Sequence, residues 1–172
     1  DAIRALSNLP EGRALDDVLP YLLEAIESPA DGKRRGGVYY TPSDVASFVV
    51  ENVLAGWDGD NAPRCLDPSC GTGVFLRALL DDLVTRYGQD PLAACEKLLH
   101  GIDLSGTAIL SSALVLLSRC IAISGAEPSG ASLLRIKQNL RVADATLIQP
   151  PDAAPTAWPF THCPKGFDVI AG

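Results

Sequence analysis

Cys65-Leu66-Asp67-Pro68-Ser69-Cys70-Gly71-Thr72-Gly73-Val74-Phe75-Leu76 joins an apolar run to a helix-periodic run through a short loop with two glycines. The apolar run ends at Asp67, and Pro68 stiffens the turn that follows. Gly71 and Gly73 allow the backbone to approach a ligand with no Cβ in the way. A buried strand feeding a helix through such a loop is a seat for a cofactor, and the rest of the chain is read outward from it.

Charge and the third loop position narrow the choice of cofactor. A dinucleotide fold uses Gly-x-Gly-x-x-Gly, with the last glycine giving close helix-strand contact beside a pyrophosphate on the helix N-terminus. Here that position is Leu76, preceded by the bulky Phe75. Asp67 at the mouth of the loop would repel a pyrophosphate, since two like charges ~4 Å apart near a protein surface cost about 4 kcal/mol. The same carboxylate attracts a cation, and S-adenosylmethionine carries a sulfonium and an ammonium but no phosphate. A phosphate loop is excluded as well. Gly32-Lys33 is followed by Arg34 rather than Ser or Thr, with no glycine five positions upstream.

The stretch Asp67 to Leu76 resembles the first motif of the class I S-adenosylmethionine-dependent N6-adenine DNA methyltransferases of restriction-modification systems. Further segments resemble the same family in the same order. Gly37-Val38-Tyr39-Tyr40-Thr41-Pro42 is similar to the segment that closes over the methionine end of the cofactor, and Gly101-Ile102-Asp103-Leu104 to the strand whose terminal acid binds the ribose hydroxyls. Val142-Ala143-Asp144-Ala145 resembles the segment that meets the adenine, and Phe167-Asp168-Val169-Ile170-Ala171-Gly172 the strand leading into the catalytic Asn/Asp-Pro-Pro-Tyr/Phe. The resemblance spans roughly residues 34 to 172, and several ordered motifs are more specific than any one alone. It implies S-adenosyl-L-methionine as cofactor, bound by Tyr40, Thr41, Asp67, Ser69, Gly71, Gly73, Asp103, Leu104, Asp144 and Ala145. The tetrad itself is absent, so no catalytic residue is assigned within this stretch and the chain by itself is expected to be inactive. Target recognition is expected C-terminal to Gly172.

Strands and helices alternate along the chain. Residues 1 to about 30 place Leu15, Val18, Leu19, Leu22, Leu23 and Ile26 at helical spacing, with Pro20 limiting where that helix runs unbroken. Ser28 to Gly32 reads as a linker and Lys33 to Gly37 as an exposed basic loop. A second helix is expected to open at Thr41 as N-cap, with Val45, Phe48, Val49 and Val53 as its apolar face. Helices follow at Val74 to Tyr87, Pro91 to Leu98 and Ser105 to Ser124, and strands at Leu99 to Leu104, Leu140 to Ala143 and Phe167 to Ala171. A Gly/Ser-rich break at Gly125 to Ser132 and a Pro-rich surface loop at Pro150 to Pro164 separate the later elements. The pattern predicts an α/β fold: a Rossmann-like, doubly wound, mainly parallel sheet, a partial methyltransferase fold with an N-terminal helical segment. Ligands in such sheets bind at the carboxyl ends of strands, where Asp67, Asp103, Asp144 and Gly172 all fall. Residues 1–36 form the helical segment and linker, and residues 37–172 the S-adenosylmethionine-binding part of a methyltransferase domain, truncated at its C-terminus.

The composition bounds the partners. With 172 residues and 47% hydrophobic content the chain is long and apolar enough for one globular domain. It begins at Asp1 and contains no methionine, so it is read as a piece of something longer. Five cysteines lack any paired metal spacing, and no secretory signal precedes them; a reduced, cytoplasmic protein without a metal is expected. The apolar stretch Thr107 to Ile123 is interrupted by Ser111, Ser112, Ser118 and Arg119, so it reads as a buried helix and no membrane partner is expected. A net charge of −7 offers no basic footprint for nucleic acid. DNA is therefore expected to be gripped by regions outside this chain, and a specificity or restriction subunit is a candidate further partner.

Several residues admit plainer readings. Asp144 could cap the turn after the third strand, Cys70 reads as a small residue chosen for fit, and Lys33 to Arg35 as solvated charge. Between the two tyrosines, Tyr40 is favoured for the cofactor, with Tyr39 in the core. His100 and His162 make no catalytic array with Ser69, which is not in a Gly-x-Ser-x-Gly elbow. Two rival functions stay open: an RNA or protein-glutamine methyltransferase, and a non-catalytic methyltransferase-like module in a defence complex.

Overall fold

A computed structural model describes residues 41–125, 130–147, 159–160, 163 and 165–172. The N-terminal helix expected over residues 1 to 30, the basic loop and both tyrosines at 39 and 40 lie outside the described residues.

Four short strands form one parallel sheet: β1 (Cys65–Asp67), β2 (Leu99–Asp103), β3 (Leu140–Val142) and β4 (Val169–Ile170), in the order β3-β2-β1-β4. The order runs outward from β1 through β2 to β3, then returns to β1's other side with β4. That reversal puts a topological switch point between β1 and β4, where open α/β sheets place their ligands. The register pairs Asp67 with Gly101 and Asp103 with Val142, so the strand ends share one carboxyl edge.

The helices are α1 (Ser43–Ala55), α2 (Val74–Tyr87), α3 (Pro91–Lys97), α4 (Gly106–Ser124) and α5 (Gly130–Lys137). Alternation along the strands divides the core in two. Cys65, Leu99, Leu140 and Val169 pack under the helices together with Leu76, Leu79, Leu80 and Leu83 of α2. Leu66 and Ile102 face the other way, onto Phe160 and Cys163. Burying one leucine side chain fully contributes roughly 2 kcal/mol relative to exposure, so the leucine-rich face of α2 is a principal anchor of the helical layer. Local chemistry fixes the helix starts. The Asp90 carboxylate accepts from the Ala93 N–H at 2.8 Å beside Pro91 in the first turn of α3, and Ser105 Oγ accepts from the Ala108 N–H at the head of α4. Buried Asn139 donates from Nδ2 to the carbonyls of Cys95 and Glu96, satisfying groups left open at the end of α3.

Four expectations are corrected. The residue capping α1 is Pro42, with no side-chain cap, so Thr41 lies one position outside the helix start. The inward face of α1 is Ala46, Val50 and Leu54, with Val53 beside it, whereas Val45 and Phe48 are exposed, Phe48 by 67%. Hydrophobicity alone favours Phe48 over small Ala46, but the i, i+4, i+8 row that meets α2 needs a side chain that lets the helices approach. The break expected up to Ser132 gives way to α5 from Gly130, which buries Ser132 and Ile136. Within the Pro-rich stretch, Phe160 and Cys163 are buried rather than on the surface, in a T-shaped stack of Phe160 on His100 and on Phe167.

By length and composition α4 is apolar enough to cross a membrane despite its serines. It packs here as a core helix against β2, β3, α2, α3 and α5, with Ile109, Ala113 and Leu116 buried.

Candidate functional site

The turn after β1 is held by three backbone groups on one loop. Cys70 N–H donates to the Ile102 carbonyl at 2.9 Å, and Gly73 N–H to the Cys70 carbonyl at 2.7 Å. Gly71 N–H donates to Oδ2 of Asp103 at 2.9 Å. The other face of Gly71 is fixed too, since its carbonyl accepts from the buried Ser112 hydroxyl of α4 at 2.9 Å. Gly73 has φ +91°, and a Cβ there would stand 3.0 Å from Ser112 Cα. Both conformation and space therefore require glycine at this position. In the sequence Ser112 is no more than an interruption of an apolar helix. No local signal shows that its hydroxyl lands on a loop 41 residues earlier.

Asp67 and Asp103 end neighbouring strands and differ in environment. Asp67 is 1% exposed. Its Oδ1 accepts from the Ser69 N–H at 3.0 Å, and Oδ2 has no hydrogen-bond partner among the described residues. Burial pushes its carboxyl up to about 7, the Ser69 N–H opposes the shift, and the charge of Asp103 adds to it. Asp103 is half-buried and holds two backbone amides, Gly71 on Oδ2 and Ser105 on Oδ1, the latter at 2.8 Å. Each of its oxygens keeps a second lone pair for an external donor. Cys70 beneath the loop is buried, and its thiol is pushed up to about 12, chiefly by burial. It behaves as a packing residue, with no thiolate at neutral pH.

One strand further out, Ala143 N–H bonds to the Asp103 carbonyl at 3.0 Å and ties the end of β3 to β2. Asp144 Oδ1 accepts from both the amide and the hydroxyl of Thr146, which hold its carboxyl below the usual range. Ala145 opens a single 3-10 turn, Ala145–Leu147, and packs on the second core cluster. Leu104 is exposed by 73% at the tip of β2.

The structure thus brings Asp67, Ser69, Gly71, Gly73 and Asp103 into one connected unit. Leu104, Asp144 and Ala145 share the same sheet edge without a described hydrogen bond to that unit. Thr41 stands before α1, and no described hydrogen bond joins it to the loop. Tyr40 lies outside the described residues. No group of three or more His, Cys, Asp and Glu side chains suited to a metal occurs among the described residues.

A parallel sheet with this loop at its switch point defines an α/β protein of the methyltransferase type, and comparison with known families agrees. The model of the N-6 DNA Methylase family matches residues 12–127, and the chain belongs to that family. The type II methyltransferase M.MamI of Microbacterium ammoniaphilum is 42% identical to it over 87 residues, covering 47% of this chain and 24% of that protein. The chain therefore spans about a quarter of the length of this relative.

Proposed function

We propose that this chain is the S-adenosyl-L-methionine-binding portion of an N6-adenine DNA methyltransferase of a restriction-modification system. The observation that carries the reading is the orphaned, buried Oδ2 of Asp67 beside a loop whose glycine backbone is clamped from both sides. An unpaired carboxylate oxygen in such a place suits a cationic ligand and disfavours a phosphate. The described donor set fits: Asp67, Ser69 and the Gly71 to Gly73 backbone would hold the amino-acid end, and the family resemblance adds Thr41 and Tyr40 as the residues that would close over it. The free lone pairs of Asp103 would accept the ribose hydroxyls, and Leu104, Asp144 and Ala145 would meet the adenine. The cofactor supplies an activated methyl on sulfur. The chain's own residues bind and orient it, and the rigid loop prevents the donor from swinging out of line. The domain division at residue 36 belongs to the same reading.

The family match favours DNA over RNA or a protein glutamine as substrate. The net charge of −7 leaves the phosphate contacts to other parts of the protein or to a partner subunit. Five free, buried cysteines suit a reducing compartment such as the cytoplasm. Titration calorimetry tests the proposal. The folded chain should bind S-adenosylmethionine and not NAD, and Asp103→Ala should weaken binding at least tenfold. A folded chain that binds neither would favour a non-catalytic module, and preference for NAD would overturn the reading.

A further inference from the structure

Across the switch point the end of β4 lies against the end of β1. Ala171 N–H donates to the Leu66 carbonyl at 3.0 Å, and the next residue, Gly172, then comes down on Asp67. A Cβ at 172 would fall far inside contact distance of Asp67 Oδ1 and only 3.1 Å from both Asp67 Cγ and Pro68 Cδ. Carbon contacts are comfortable near ~3.5 Å, so no side chain fits there without movement. Conformation is not the reason for glycine, because Gly172 is not among the positive-φ residues. Space is the reason.

Asp67 cannot yield easily. It is buried, its Oδ1 is bound to the Ser69 amide, and Pro68 fixes the backbone beside it. We propose that Gly172 is a positioning residue of the cofactor socket: its missing side chain lets β4 close over Oδ1 of Asp67, which locks the carboxyl so that Oδ2 is presented to a cationic ligand group. The strand on the far side of the switch point thereby sets the orientation of a carboxylate on the near side. This inference rests on reading Asp67 as part of an S-adenosylmethionine socket. Among the described residues, the charged and titratable groups facing Asp67 are Asp103 on β2 and the thiol of Cys70 on the loop.

The test compares the wild-type chain with Gly172→Ala, Asp67→Ala and the double variant, by calorimetry with S-adenosylmethionine, by carboxyl-carbon NMR titration of Asp67, and by thermal melting. Gly172→Ala should raise Kd at least tenfold. It should also move the Asp67 midpoint down from about 7 as the strand end lifts and water reaches the carboxyl. In the Asp67→Ala background the same substitution should lower Tm far less than in the wild type. An unchanged or raised midpoint, or an undiminished loss of Tm in that background, would overturn the inference. Where Gly172→Ala does not fold, a folded double variant supports the contact and an unfolded one refutes it. A wild-type chain without affinity for the cofactor would defeat the functional reading, while the NMR and melting results would still judge the contact itself.

Discussion

Replacing Asp67 by asparagine should stabilise the protein at alkaline pH while weakening the site. The carboxyl titrates near 7 in the fold against an ordinary 3.8. At about 1.4 kcal/mol per pH unit, the buried charge costs up to about 4 kcal/mol. The sign follows from proton uptake. Between pH 3.8 and about 7 the folded chain keeps a proton that the unfolded chain has released, so stability falls as pH rises through that window and levels off above it. The asparagine side chain would carry no charge, but its amide would leave an unsatisfied buried donor where Oδ2 stands, a cost of about 1–3 kcal/mol. The charge is the larger effect. Urea unfolding of wild type and Asp67→Asn from pH 4.5 to 8.5 should show the variant less stable by up to about 2 kcal/mol at the acid end, where the amide cost stands nearly alone, and more stable by about 1–3 kcal/mol at pH 8. The difference between the two proteins removes the contribution of the other carboxylates. Cofactor affinity at pH 8 should move oppositely, dropping tenfold or more, because an ion pair near a protein surface contributes up to about 4 kcal/mol. A stability difference that stays flat across the pH range would refute the account of Asp67 as a strained, ligand-facing carboxylate.

Ser112→Ala should cost about 1 kcal/mol in urea unfolding, by removing the donor to the Gly71 carbonyl, and should weaken S-adenosylmethionine binding severalfold in calorimetry; affinity equal to wild type would show that the loop keeps its shape without α4. Asp144→Ala removes only the local bonds to Thr146, so Tm should stay within about a degree, surface changes of this kind being small, while cofactor affinity falls; unchanged affinity would remove Asp144 from the site.

Most of the architecture is legible in the sequence because its signals are local. The strand ending at Asp67, the helices read at 74–87 and 105–124, and the alternation that forces parallel pairing all follow from periodicity, and the structure adds only that Ser105 caps the second of them. The misreadings have a common physical root. Hydrophobicity puts Phe48 inside and ignores Ala46 because it carries no information on the distance at which α1 meets α2, and a small residue buries where a large one would hold the helices apart. Helix α5 is hidden by Gly130 and the serines around it, since weak local propensity is overridden when Ile136 and Ser132 find a place against α4 and α3. The prolines near Phe160 and Cys163 suggest a surface loop, yet the second face of the sheet, with Leu66 and Ile102 on it, needs apolar cover from some segment of the chain.

The site is legible only as a set of residue types at strand ends. Asp67 and Asp103 look equivalent in sequence, each an acid closing an apolar run, but their environments divide the work. Asp103 is half-buried and accepts from two amides, which ties the loop to β2. Asp67 is nine-tenths and more buried with one oxygen orphaned, so it is held in a state that a cation would relieve. Neither property can be read from spacing. The shape of the loop and the burial of Asp67 depend on contacts made far along the chain, from Ser112 under the loop, to which motif reading gives no role, and from Gly172 over the carboxyl, which motif reading places at a strand end without a contact. On the proposed reading, the cost of burying the Asp67 charge is borne by the fold above pH 7 and would be offset by a positive ligand group, which would make binding strength and stability at alkaline pH opposing demands on a single side chain.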